Sequence, residues 1–122
     1  MTRINVGIHP LELPPKLMLA EHREIKRIPN CIKSGRYSLI GVPDKFTLGT
    51  GHVKFFYNKL EFLRKRYELI YRCCSPKYNV TYYGDSFINL PIELMNDYSP
   101  TEEDRQLLIE RIKSKGFWKI SC

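Results

Sequence analysis

Two glutamates one helical turn apart, Glu21 and Glu24, stand among Arg23, Lys26 and Arg27 near the start of a 122-residue chain. Carboxylates beside guanidinium groups can form plain ion pairs, or they can hold protons and developing positive charge in a reaction. A helical wheel at about 100° per residue separates the two. Leu17, Met18, Ile25 and Ile28 form an apolar arc on it. Glu21 falls inside that arc, and Glu24 falls on the seam between the arc and the side bearing Arg23 and Arg27. A carboxylate facing a core needs a partner or a raised pKa, so Glu21 reads as a buried structural group. Glu24 has two readings: an i,i+3 partner of Arg27, contributing about 0.2–0.5 kcal/mol, or a catalytic carboxylate at a cleft edge. The wheel alone favours the ion pair.

The remaining charge points to a polyanion. Lys and Arg number 20 against 13 Asp and Glu, giving a net charge of +7 and a pI near 9.3. That excess on so short a chain is the electrostatic footprint of a nucleic-acid binder. The run Arg64-Lys65-Arg66 reads as a solvated face that would add long-range attraction to such a polyanion. His52 reads as a structural or helix-end hydrogen-bonding residue, and for His22 an ordinary place on the helix surface weighs equally with a functional role. Cys31, Cys73, Cys74 and Cys122 lack metal-ligand spacing, so neither zinc nor any other cofactor is predicted. Neighbouring cysteines rarely bridge each other, and free thiols fit a reducing cytosol. The first residues lack the pattern of a secretory signal, and no apolar run approaches membrane-spanning length. A cytoplasmic, non-secreted protein is expected.

Three helices account for the periodic stretches. The first begins at Pro14 or Pro15, since proline is tolerated in a first turn, and runs to about Arg27, stopping before Pro29. Asn30 to Gly51, with four glycines and Pro43, reads as a long loop. The strongest helix spans about Gly51 to Cys74, where Phe55, Phe56, Lys59, Leu60, Phe62, Leu63, Leu69 and Ile70 repeat at helical spacing. Lys77 to Tyr98 is irregular. Ser99-Pro100-Thr101-Glu102 reads as a cap for a last helix with Ser99 at its head, ending near Lys115 before Gly116. The expected fold is all-α: residues 1–122 as a single domain of three helices joined by long loops.

Three segments carry a further signal. Thr2-Arg3-Ile4-Asn5, then Leu19-Ala20-Glu21-His22-Arg23-Glu24-Ile25 with Arg27, then the unbroken block from Gly49 to Arg66 closely resemble the phage pyrimidine-dimer DNA glycosylases of the T-even endonuclease V type. The likeness covers most of residues 1–74 and thins toward the C-terminus. It implies a fold with the N-terminal segment inserted between the helices. It also implies excision of ultraviolet-induced pyrimidine dimers from double-stranded DNA, followed by cleavage of the abasic strand. The family's nucleophile, the α-amine of a threonine exposed by removal of Met1, falls on Thr2. Its essential carboxylate falls on Glu24, which turns the reading of that residue from structural to catalytic. Its phosphate-binding arginines fall on Arg3, Arg23 and Arg27, and further DNA contacts on Arg111, Trp118 and Lys119. No membrane partner is implied, and a monomer is expected.

The chain also departs from the pattern. Leu17 stands where the family commonly has an active-site histidine, His22 where the T-even enzymes have tyrosine, and Leu107 where another basic contact would be. Only Phe117-Trp118-Lys119 resembles the family's aromatic tail. Two alternatives therefore stand beside the dimer reading: a glycosylase of this fold for another damaged or modified base, and a non-catalytic DNA-binding relative.

Overall fold

A computed structural model of the chain describes residues 2–116. Every regular element among them is helical. A 3₁₀ turn at Pro10–Glu12 precedes α1 (Pro15–Glu24), α2 (Arg27–Lys33), α3 (His52–Phe55), α4 (Leu60–Cys74) and α5 (Glu102–Ser114). Two more 3₁₀ turns, Gly84–Phe87 and Ile92–Leu94, lie within the irregular stretch before α5.

All three expected helices are present, and two of them are broken. The first was expected to run to Arg27; instead it breaks after Glu24, and Pro29 lies inside a second helix. In an uninterrupted helix Pro29 would lack the N–H owed to the Ile25 carbonyl and would clash with it. Restarting at Arg27 places Pro29 in a first turn, where that N–H has no helical partner in any case. α2 closes on Gly35 in the left-handed region, at φ 75°. There Arg36 N–H reaches the Cys31 carbonyl and Gly35 N–H the Ile32 carbonyl, both at 3.1 Å, a Schellman closure.

The Gly51–Cys74 helix likewise splits, between Phe55 and Leu60. Other residues satisfy the backbone groups that the break releases. Lys59 Nζ donates to the Phe55 carbonyl at 3.0 Å and Asn96 Nδ2 to the Asn58 carbonyl at 2.8 Å. Phe62 N–H donates to the Asn96 carbonyl at 3.3 Å. α5 begins two residues later than expected: Thr101, not Ser99, is the N-cap, its hydroxyl accepting from Asp104 N–H while Asp104 accepts from Thr101 N–H. Asp104 is the residue that completes such a box, because it sits third in the helix behind a threonine in extended conformation.

α4 presents Leu60, Leu63, Tyr67, Ile70 and Cys74 to the core. Opposite them Ile4, Val6 and Ile8 of the N-terminal segment are wholly excluded from solvent, as are Ile25, Ile28 and Leu108. Residues 2–8 therefore run between the helices, which is the inserted arrangement expected.

Candidate active site

Four contacts from four different regions fix the N-terminal segment. Ile4 N–H donates to His52 Nε2 at 2.9 Å, at the start of α3. Asn5 Nδ2 donates to Glu21 Oε1 at 2.8 Å, on α1. Arg66 on α4 donates to the Ile8 carbonyl at 2.6 Å, and Arg105 on α5 to the Gly7 carbonyl at 3.0 Å. Gly7 takes φ 70°, and a Cβ there would lie 3.4 Å from the Cβ atoms of Pro100 and Arg105. The last helix thus closes directly against the turn.

Glu21 is the buried structural carboxylate that its place on the wheel required. Arg66 Nε and Nη2 reach its two oxygens at 2.8 and 2.9 Å, with Asn5 as third donor. The reading of Arg64-Lys65-Arg66 as one solvated face is corrected here, since each residue has a separate partner. Arg64 forks onto Glu61 one turn earlier, Lys65 pairs with Asp97, and Arg66 is buried on Glu21. A charge run projected on a wheel shows direction, but a carboxylate buried 45 positions away decided which of the three turned inward. His22 is also corrected from surface to interior. It is 3% exposed, its Nε2 lies 3.2 Å from the Tyr67 hydroxyl, and it packs on the Tyr71 and Tyr83 rings. Burial, and then the charges of Lys26 and Arg23, hold its pKa below the ordinary histidine value.

Thr2 is buried, and with Arg3, Thr50, Lys54 and Tyr57 it lines a cavity of about 520 Å³. Arg3 also borders a second depression of about 180 Å³, shared with Asn5, Leu17, Ala20, Glu21 and Glu24. Arg3 is therefore the wall between Thr2 and Glu24. Glu24 is half-buried and has Arg23 Nη2 at 3.8 Å. Its partner is not Arg27, because the break after α1 carries Arg27 out of register. The contact to Arg23 is too long for a good hydrogen bond, so the carboxylate is not saturated as Glu21 is. Burial, followed by repulsion from Arg111, lowers the pKa of the Arg3 guanidinium. The repulsion shows that α5 brings Arg111 to the same side. Among the described residues Arg3, Arg27 and Arg111 form no ion pair.

Arg23 is exposed at the mouth of a third depression, about 280 Å³, lined by His22, Asn79, Thr81 and Tyr83. Arg27 is exposed at the head of α2. Trp118 and Lys119 lie outside the described residues. One residue went unread in the sequence for its true role: Arg66, the anchor of both Glu21 and Ile8. The alternation Ile4, Val6, Ile8 was the available sign that the first residues enter the core.

Among the described residues, an all-helical fold sets Arg3 between the Thr2 cavity and the depression that holds the half-buried Glu24. The family model for pyrimidine dimer DNA glycosylase matches residues 1–82, and the chain belongs to that family. It is a DNA-repair glycosylase and its substrate is DNA.

Proposed function

We propose that the protein, acting as a monomer, excises cyclobutane pyrimidine dimers and then cleaves the abasic strand, with the Thr2 α-amine as nucleophile and Glu24 as the working carboxylate. The observation that supports it is Arg3, which borders the Thr2 cavity on one side and the Glu24 depression on the other. Once Met1 is removed, the nucleophile is an α-amine, a group whose unperturbed pKa of about 7.7–8.0 lies well below that of lysine, so a neutral fraction is within reach near pH 7. Its lone pair attacks C1′ of the damaged nucleotide. The C1′–base bond breaks and the base leaves with that electron pair. Opening of the sugar ring leaves a Schiff base. Loss of a C2′ proton, assisted by Glu24, then expels the 3′ phosphate by β-elimination.

Arg3, Arg23, Arg27 and Arg111 clamp the phosphates of the bent duplex. A dimer already weakens stacking and pairing, which lowers the cost of the bend and of extruding the opposite adenine. The depression beside Arg23 offers that base an aromatic wall, Tyr83.

A mass-checked protein lacking Met1, incubated with a duplex bearing one thymine dimer and reduced with borohydride, should yield a covalent adduct. Undamaged duplex and an amine-blocked protein should yield none. Leu17, apolar on the wall shared with Glu24, favours one second reading, a glycosylase for another damaged pyrimidine. An adduct on a plain abasic site but none on the dimer would select it.

A further inference from the structure

His52 sits where the N-terminal segment, the long loop and α3 meet, and both of its ring nitrogens are engaged. Nε2 faces the Ile4 amide at 2.9 Å, and Nδ1 faces the Thr47 carbonyl at 2.8 Å. A backbone amide can only donate and a carbonyl can only accept. Nε2 must therefore be the bare nitrogen, and Nδ1 must carry the single proton. The ring is neutral and held as one tautomer. A second proton would set N–H against N–H and break the bond to Ile4.

The surroundings keep it neutral. His52 is buried, with Phe46 and Phe56 edge-on to it. Burial is the largest influence on its pKa and lowers it. The Thr47 carbonyl raises it, Arg3 of the N-terminal segment lowers it, and Glu21 of α1 raises it, leaving a net shift downward. Asn5, next to Ile4, is held by Glu21, which Arg66 holds in turn. Of the two adjacent clamps, the one nearer Thr2 is the imidazole.

We infer that His52 is a positioning residue of the glycosylase: its bare Nε2 fixes the backbone at Ile4 and so aims the Thr2 amine two residues away. The inference rests on Thr2 being the nucleophile. The sign follows directly: the clamp is intact above the ordinary histidine pKa, about 6.5, and is lost as pH falls through the lowered folded-state value.

The test follows the Ile4 amide resonance and borohydride trapping on a plain abasic duplex between about pH 5 and pH 8, in wild type, His52→Gln and His52→Leu. Glutamine can accept from Ile4 and donate to Thr47 without titrating. The Ile4 amide of the wild type should shift with the His52 titration, and that of His52→Gln should not. His52→Leu should trap at least tenfold more slowly at pH 8, with His52→Gln restoring part of the loss. The trapping rate of His52→Gln relative to wild type should rise as pH falls, by up to tenfold per unit below the His52 pKa. That ratio cancels the titration of the amine itself.

An Ile4 amide indifferent to His52 overturns the clamp. A flat ratio with a titrating Ile4 leaves His52 purely structural and overturns the positioning role. Absence of any adduct from wild type sinks the Thr2 reading, and the positioning role with it. If the variants do not fold, the wild-type rate decides alone: an acid limb no steeper than one proton overturns the inference.

Discussion

Glu21 and Glu24 share one helix, one turn apart, yet their side chains differ in every respect that matters to chemistry. Glu21 is wholly buried and accepts from Asn5 and from Nε and Nη2 of Arg66. Glu24 is 17% exposed, and its one ion-pair contact, to a mostly solvated Arg23, spans 3.8 Å. The first carboxylate is saturated by donors and has no capacity left for a substrate. The second borders the depression walled by Arg3, with lone pairs still to offer. A residue type does not make a catalytic group. What distinguishes these two is how completely the fold has already satisfied each of them.

Exchanging the two roles by mutation should separate function from stability. Glu24→Gln should slow adduct formation on a dimer duplex by about 10²–10⁴-fold while leaving the urea midpoint almost where it was. Glu21→Gln should do the reverse in character, destabilising the fold by about 3–5 kcal/mol because Arg66 is left buried with half its partner. Its urea midpoint is the measurement. A second change, Arg66→Met with Glu21→Leu, should recover only part of that loss: no charge is left to desolvate, but the Ile8 carbonyl and Asn5 Nδ2 lose their partners. If Glu24→Gln unfolds the protein as readily as Glu21→Gln, the contrast between the two carboxylates collapses.

The smallest expected effect concerns the guanidinium groups. Arg111→Gln should reduce the slope of log affinity against log salt on undamaged duplex by about 0.9, one phosphate contact's worth. An unchanged slope would take Arg111 off the DNA path.

The residues themselves placed Glu21 in the core and Glu24 at a seam, because a ten-residue helix obeys its wheel. They did not show where the helix would stop. The break after Glu24 is settled by Pro29, four positions beyond Ile25, whose missing N–H becomes harmless only if a new helix starts first. The break before Leu60 depends on Asn96, far along the chain, to satisfy the freed backbone groups. Local periodicity carries no trace of such a partner. Arg66 was hidden for the same reason: its neighbours Arg64 and Lys65 do face outward, and only the distant Glu21 turns it inward. The family likeness picked out Glu24 and Thr2, whose chemistry no wheel displays. It left to the folded chain the place of Arg3 between the cavity of the one and the depression of the other.

The Gly7 carbonyl accepts from Arg105, 98 positions away. On a ribosome adding about 5–20 residues per second, the first residues wait on the order of 5–20 s for that partner to be made. Through this interval the turn at Gly7 stands without its clamp from α5, although the partners of Ile4, Asn5 and Ile8 have already been made. Topology thus sets an order of events: the contacts of Ile4, Asn5 and Ile8 can form first, and the turn at Gly7 closes last, when α5 arrives.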